Sequence, residues 1–299
     1  MALNRRSFSI LLLGACSAGA PSAAVLAATK TNLLLDTVTG VEERLGARLG
    51  FSALDTGTGA TWLYQADQRF PMCSTFKVIA CAAFLARVER GADSLDRRVV
   101  ISQKDLVSYS PLTETRVGGQ GMTMAEVCEA ALTLSDNTAG NTILKSIGGP
   151  EGVTAFARSI GDDVTRLDRW ETELNEALVG DARDTTTPNA ITQTLSKLLL
   201  GEVLSINSRQ QLQRWMIANK TGDAKLRAGL PQGWTVGDKT GGGDNGTMAD
   251  VAIVWPSQRQ PLIVAVYMTE TTASFEERNA GVAAIAQALS EEVERSSSI

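Results

Sequence analysis

The sequence predicts an α/β (α+β) fold, in which a five-stranded antiparallel sheet is built from both chain ends and flanked by helices, with an all-helical domain inserted. Short apolar runs bounded by turn residues cluster near both ends of the chain, and the stretch between them has helix caps and helical periodicity. We therefore expect an export signal at residues 1–27, a sheet domain formed by 28–66 and 218–299, and a helical domain at 67–217.

The strands are predicted from alternating or short apolar runs. The first two, Arg48 to Asp55 and Ala60 to Gln65, are joined by the turn Thr56 to Gly59. Three more strands are predicted near the other end of the chain: Trp234 to Lys239, Thr247 to Trp255 and Pro261 to Glu270.

The helices are predicted mainly from their caps. A capping box at Thr123 to Glu126 opens a helix that holds Cys128, and Thr187-Pro188 opens another that ends at Gly201. Further helices are predicted over 78–90, 138–147 and 209–219 and from Ser274 to about Arg295.

The composition excludes several classes of protein. With 43% hydrophobic and 20% charged residues the chain is an ordinary globular protein, and a net charge of -5 argues against a nucleic-acid partner. Histidine is absent, so no Ser-His-Asp or Cys-His catalysis can operate. We expect no metal ion and no cofactor, and a monomer because no exposed apolar stripe is evident.

The N-terminus has the order of an export signal: Arg5-Arg6, an apolar stretch from Ser9 to Ala20, then small residues through Ala28. The apolar stretch is shorter than the roughly 20 residues of a membrane-spanning helix. We therefore expect a periplasmic protein. The twin-arginine and ordinary secretory routes both stay open, and Cys16 offers an alternative lipoprotein cleavage site.

Removal of the signal leaves three cysteines, which can form at most one bridge within the chain. Cys73 and Cys81 lie near or within one predicted helix, about 12 Å apart along its axis, which is too far for a disulfide. Any bridge must therefore include Cys128.

Ser74 and Lys77 lie three residues apart at the start of a predicted helix, so their side chains share one face. A lysine beside a serine can activate it without histidine, and a helix N-terminus favours a developing anion. The alternative interpretation is an N-cap serine followed by a solvated lysine.

Two further motifs contain hydroxyl, amide and amine groups that could belong to a functional site. Ser135 to Asn137 connects two predicted helices, and Lys239 to Gly241 ends a predicted strand, where a lysine and a hydroxyl can hold a substrate carboxylate. A second Lys-Thr-Gly at Lys220 to Gly222 lies in a polar turn and is a weaker candidate. Gly241 to Gly246 matches a dinucleotide fingerprint, but a strand follows it, so we interpret it as a hairpin.

The loop 169–184 carries a possible general base. Glu171 is followed four residues later by Asn175, and a carboxylate and an amide at this spacing can hold a water for hydrolysis. Arg169 and Asp184 could pair to close the loop.

These four motifs stand in the order found in one enzyme family, and the chain resembles the class A serine β-lactamases, in detail those of the Burkholderia penicillinase type. The resemblance covers essentially all of the mature chain. It is carried by Phe70 to Lys77, Tyr109 to Pro111, Ser135 to Ala139, Arg169 to Glu171 and Asp184 to Pro188.

The resemblance implies hydrolysis of the β-lactam ring of penicillins, and by extension cephalosporins, through an acyl-enzyme on Ser74, and so antibiotic resistance. The backbone N–H groups of Ser74 and Gly242 would form the oxyanion hole. Lys77, or Glu171 through a water, would be the base for acylation, and Glu171 with Asn175 would direct deacylation.

For the substrate, the resemblance implies that Ser135 protonates the departing nitrogen. The carboxylate would lie on Lys239 and Thr240, beside Gly241. Asn137 would contact the acylamido side chain and Tyr109 would flank the entrance.

Two further expectations come from the resemblance. It implies a bridge between Cys81 and Cys128, which leaves Cys73 as a free thiol. Many relatives supply an arginine to the substrate carboxylate, from the position of Met248 or that of Lys225. We hypothesise that Lys225 takes this role here.

Two other functions use the same framework: a penicillin-binding D-alanyl-D-alanine carboxypeptidase or transpeptidase, and a non-catalytic β-lactam sensor. In both, the acyl group that a β-lactam leaves on the nucleophilic serine would persist. Glu171 with Asn175 favours the hydrolase, because it supplies a base and a water to the acyl-enzyme.

Overall fold

The computed structural model describes residues 32–295 of the 299-residue chain, so the predicted export signal, residues 1–27, lies outside the described residues. The helices are α1 Leu33–Leu45, α2 Phe76–Glu89, α3 Met124–Thr133, α4 Asn137–Ile147, α5 Pro150–Ser159, α6 Pro188–Leu199, α7 Ile206–Ile217, α8 Leu226–Gly229 and α9 Phe275–Arg295. The strands are β1 Arg48–Asp55, β2 Thr61–Tyr64, β3 Phe70–Pro71, β4 Arg98–Val99, β5 Met122–Thr123, β6 Thr185–Thr186, β7 Thr235–Gly242, β8 Met248–Trp255 and β9 Leu262–Thr269.

The main sheet has five antiparallel strands in the order β2-β1-β9-β8-β7, which confirms the predicted fold class. Its two halves join where β1 pairs with β9, from Arg48 opposite Thr269 to Asp55 opposite Leu262. The two ends of the chain therefore form one sheet, and β7, at one edge, is the first strand after the helical stretch. The division into a sheet domain and a helical insert stays a prediction.

Both faces of this sheet are buried. Along β9, Val264 and Val266 lie in the core cluster that includes residues of α1 and α9, and Ile263 and Tyr267 lie in the cluster that includes residues of α2 and α6. Successive strand residues point to opposite faces, so an almost wholly apolar strand is expected where both faces are covered.

The elements differ from the predicted ones at their ends. β7 runs to Gly242, beyond the predicted end at Lys239, because β8 continues to pair with it as far as Gly242 opposite Met248. α1 was not predicted from the sequence, although Asn32 caps its start, Gly46 ends it, and its buried residues recur at helical spacing. None of the described helices is long and apolar enough to cross a membrane.

The predicted bridge between Cys81 and Cys128 is absent, and both residues are buried free thiols. The pKa of the Cys128 thiol is raised well above its usual value, first by burial and then by a hydrogen bond with Cys81. The two side chains are thus adjacent, as a bridge requires.

Candidate active site

Ser74 lies in a short 3₁₀ helix, Cys73–Thr75, that continues into α2. Cys73 has φ +44°, a left-handed conformation that is uncommon for a residue with a side chain. The Thr75 hydroxyl donates to the Met72 carbonyl at 2.8 Å and contacts the buried Tyr267 hydroxyl at 3.0 Å. These contacts hold the Ser74 hydroxyl at the N-terminus of α2.

The Lys77 ammonium lies at the centre of the buried polar groups. Its Nζ is 2.8 Å from Ser74 Oγ, 2.8 Å from Glu171 Oε1, 2.7 Å from Asn137 Oδ1 and 2.9 Å from the Ser135 carbonyl. The side chains of Lys77 and Glu171 are fully buried. An ammonium has three protons and faces four acceptors, so its hydrogen bonds must exchange among them.

Glu171 contacts the nucleophile directly and is held from two sides. Its Oε1 lies 3.3 Å from Ser74 Oγ, and its Oε2 accepts from the Asn175 amide at 2.6 Å. Asn141 on α4 binds the backbone of Glu171 through both amide atoms, at 3.0 and 2.9 Å. The buried Asn175 Oδ1 has no partner among the described residues, and an orphaned acceptor at this point suits a water.

The loop that carries Glu171 is closed at its base by a charge pair. Arg169 Nε donates to Asp184 Oδ2 at 2.6 Å, and Asp184 Oδ1 accepts from the backbone N–H groups of Asp168 and Arg169 at 2.7 and 2.9 Å. The Arg169 guanidinium also reaches Glu176 at 2.6 Å. Hydrogen bonds between residues at the two ends of the loop therefore hold it closed.

Lys239, on β7, contacts the Ser135 hydroxyl, whereas Lys77 contacts the Ser135 carbonyl. Lys239 Nζ donates to Ser135 Oγ at 2.8 Å and to the Thr240 carbonyl at 2.7 Å. Burial lowers the pKa of the Lys239 amine to about 7, the Lys77 cation adds to this, and the carboxylates of Asp238 and Glu171 oppose it. The amine is thus poised to change charge near neutral pH.

Two glycines let β7 approach the segment before Ser74. A Cβ at Gly241 would lie 2.8 Å from the Met72 carbonyl, and one at Gly243 would lie 2.6 Å from the Asn175 carbonyl and 2.8 Å from Cys73 Sγ. At Gly242 the nearest atom, the Thr247 carbonyl oxygen, is 3.9 Å away. Glycine is therefore required on both sides of Gly242 but not at Gly242 itself.

A cavity of about 450 Å³ opens over these groups. Lys77, Glu171 and Lys239 lie buried beneath it, and Cys81 and Cys128 do not line it. The predicted site residues that line it are Ser74, Tyr109, Ser135, Asn137, Asn175, Lys225, Thr240, Gly241 and Gly242; the others are Thr221, Gly243, Thr247, Met248, Phe275 and Arg278.

Several residues of the site were not predicted from the sequence. Asn141 is four residues from Asn137 on α4, and this spacing on one helix face could have identified it. Thr221, whose hydroxyl is 2.5 Å from that of Thr240, belongs to the Lys-Thr-Gly that was given less weight. Arg278 carries no local pattern, and only the fold brings it to the cavity.

The Cys73 thiol does not take part in this polar network. Burial raises its pKa far above the usual value, and the carboxylates of Glu171 and Asp184 add to the effect. The thiol therefore stays protonated. Within residues 32–295 no group of three or more His, Cys, Asp or Glu side chains could hold a metal ion.

Comparisons with known proteins agree with this fold and with the geometry of the site. A model of the beta-lactamase enzyme family matches residues 33–293. Beta-lactamase FAR-1 of Nocardia farcinica is 52% identical over 249 residues, covering 83% of this chain and 79% of that protein. Beta-lactamase AST-1 of Nocardia asteroides is 48% identical over 273 residues, covering 91% of this chain and 88% of that protein.

Among solved structures, the class A β-lactamase of the last common ancestor of Gram-negative bacteria is similar at a TM-score of 0.86 and 56% identity, covering 87% of this chain and 99% of that one. The chain belongs to the beta-lactamase enzyme family. It is a class A enzyme of that family, and it hydrolyses β-lactams and thereby confers resistance to them.

Proposed function

We propose that the chain hydrolyses penicillins and cephalosporins through an acyl-enzyme on Ser74. The observation that carries this proposal is the buried contact of one ammonium, Lys77, with both Ser74 Oγ and Glu171 Oε1, each at 2.8 Å. Ser74 Oγ attacks the lactam carbonyl as its proton passes to a neighbouring base. Glu171 can take that proton directly or through a water, and Lys77 can take it once it has passed a proton to Glu171 Oε1, 2.8 Å away.

The departing nitrogen takes its proton from Ser135. The Lys239 ammonium donates to Ser135 Oγ at 2.8 Å, stabilises the developing alkoxide and can replace the lost proton. The backbone N–H groups of Ser74 and Gly242 receive the oxyanion.

Hydrolysis of the acyl-enzyme is the step that distinguishes this function from that of a carboxypeptidase or a sensor. A water held between Glu171 and Asn175 loses its proton to the Glu171 carboxylate and attacks the ester carbonyl. The ester bond to Ser74 Oγ breaks, the proton returns to Ser74, and the ring-opened acid leaves. The unpartnered Asn175 Oδ1 and the 2.6 Å contact from its amide to Glu171 support this water position.

The charged and polar groups of the cavity indicate where the two ends of the substrate bind. Its carboxylate binds Lys239, Thr240 and the backbone at Gly241, with Lys225 as a further cation. The acylamido group contacts Asn137, whose amide nitrogen donates to the Ser108 carbonyl at 2.9 Å and keeps a second proton free for the substrate. Tyr109, 60% exposed, flanks the entrance. The Arg169–Asp184 pair keeps Glu171 in position.

Outside the site, we propose that the chain is exported to the periplasm by residues 1–27 and acts there as a monomer. Oxidation in that compartment would join Cys81 and Cys128, which the fold already holds side by side. Mass spectrometry of the protein from the periplasmic fraction, alkylated in urea without reduction, tests the export and the bridge: the expected product lacks the signal and carries one alkyl group, on Cys73.

Lys225→Ala is expected to raise the KM for benzylpenicillin about tenfold, because a charged hydrogen bond to the substrate carboxylate is lost. Steady-state kinetics measures this. Lys220→Ala removes an exposed lysine five residues away and is the control. A KM for the Lys225 variant equal to that of the wild type would reject the assignment.

The KM for benzylpenicillin is expected to rise roughly tenfold between pH 7 and pH 8.5. The pKa of Lys239 is lowered to about 7, so the amine is a cation below that pH and loses its charge above it. Affinity for the carboxylate therefore falls as the pH rises. Lys239→Arg keeps its charge over this range and should have a flat KM profile, and a flat wild-type profile would contradict the prediction.

A further inference from the structure

One end of the cavity carries two cations on the same aromatic ring. Lys225 Nζ lies 5.0 Å and Arg278 Cζ 5.8 Å from the centroid of the Phe275 ring. All three side chains line the cavity, and Phe275 is 59% exposed although it is a large apolar residue. We call Lys225, Phe275 and Arg278 the cationic end of the cavity.

Neither cation forms an ion pair within the described part of the chain. Lys225 Nζ donates only to the Thr221 carbonyl, at 3.4 Å, and Arg278 Nε only to the Ser274 carbonyl, at 3.3 Å. Burial lowers the pKa of both side chains, and for Lys225 the carboxylates of Asp250 and Asp238 only partly oppose this. Two partly desolvated cations without a counterion create a positive potential in the cavity.

The chemistry of cephalosporins indicates which group meets this end. Our proposed function places the ring carboxylate on Lys239 and Thr240. The Thr240 hydroxyl is 2.5 Å from the Thr221 hydroxyl. The Thr221 carbonyl in turn accepts a hydrogen bond from Lys225, so the carboxylate site adjoins the cationic end. In a cephalosporin the C3 substituent is attached to the ring carbon next to the one that bears the carboxylate. A C3 substituent therefore lies next to the carboxylate, and within reach of the cationic end of the cavity.

We propose that the cationic end is a subsite for the C3 substituent of cephalosporins and selects it by charge, favouring neutral or anionic groups over cationic ones. This inference rests on the proposed function. An exposed aromatic ring by itself attracts a cation. Here the ring already contacts two protein cations. Lys225 is directed to the substrate carboxylate, but Arg278 is left without an anionic partner among residues 32–295 and repels a third cation, so neutral and anionic groups are favoured.

The test uses two cephalosporins that share a thienylacetamido side chain and differ only at C3, one with a neutral acetoxymethyl group and one with a pyridiniomethyl cation. The measured quantity is the ratio of their kcat/KM values, neutral over cationic. Arg278→Gln is expected to lower this ratio about fivefold, as the loss of one charge at short range predicts. Arg278→Lys keeps the charge and should retain most of the ratio.

Arg295→Gln is the matched control. It removes the same charge from the same helix, from an exposed residue 17 positions further along, about 25 Å at 1.5 Å per residue. Its ratio should equal that of the wild type. Added salt should also move the wild-type ratio towards that of Arg278→Gln, because screening weakens the repulsion.

The outcomes separate the two proposals. If both cephalosporins are hydrolysed but Arg278→Gln leaves the ratio unchanged, the charge-selective subsite is wrong and the proposed mechanism stands. If neither compound acylates Ser74 in the wild type, as mass spectrometry would reveal, the proposed function itself fails. A fall of the ratio in Arg295→Gln equal to that in Arg278→Gln would also overturn the subsite, since net charge would then explain both.

Discussion

Glu171→Gln is expected to stop the reaction at the acyl-enzyme and to lower the rate of deacylation about a thousandfold. Glutamine keeps the shape of the side chain and can still contact Asn175, but it cannot accept a proton from water. The ester on Ser74 should then outlive each encounter with benzylpenicillin. Intact-mass spectrometry should detect one penicilloyl group per chain, and peptide mapping should place it on Ser74.

The control for this experiment is Glu173→Gln, which removes an exposed carboxylate two residues away in the same loop. It should turn over benzylpenicillin like the wild type and carry no adduct. Turnover by Glu171→Gln near the wild-type rate would mean that another group activates the water. Absence of both turnover and adduct would instead assign Glu171 to acylation.

Much of the fold could be predicted because its signals are local. The bounds of β1 agree with its prediction, since turn residues stand at its end and a run of apolar residues fills it. The end of β7 could not be predicted from its own residues, because Gly241 and Gly242 have weak strand propensity and are held by pairing with β8. Strand pairing is a long-range effect that local patterns do not contain.

The same distinction between local and long-range effects applies to the active site. Ser74 and Lys77 could be paired from their spacing on a helix, which alone brings them close. The contact of Lys77 with Glu171 spans 94 positions in the sequence and depends on how the loop 169–184 packs against α2 and α4. Only the order of the motifs, and the family it resembles, linked these residues in advance. Arg278 belongs to no motif, and Thr221 belongs to the second Lys-Thr-Gly, whose position in a polar turn does not indicate that it lies beside Thr240.

Asp136→Ala is expected to lower the free energy of unfolding by about 4 kcal/mol, since it leaves several buried donors without an acceptor. The Asp136 side chain is fully buried and caps α4 by accepting from the Ala139 N–H at 2.9 Å. It also accepts from the Leu112 and Thr113 N–H groups at 3.0 and 2.9 Å and from the Thr113 hydroxyl at 2.9 Å. It therefore joins α4 to the segment that follows Tyr109.

Urea unfolding of the Asp136 variant measures this loss, and Ser205→Ala provides the comparison. Ser205 caps α7 through an exposed hydroxyl that accepts from the Ser208 N–H at 3.3 Å, so its loss should cost about 1 kcal/mol. Asp136 lies between Ser135 and Asn137, so its replacement should also lower kcat/KM for benzylpenicillin, whereas Ser205→Ala should not. Equal losses of stability in the two variants would mean that Asp136 is an ordinary helix cap and that the segment after Tyr109 is held by other contacts.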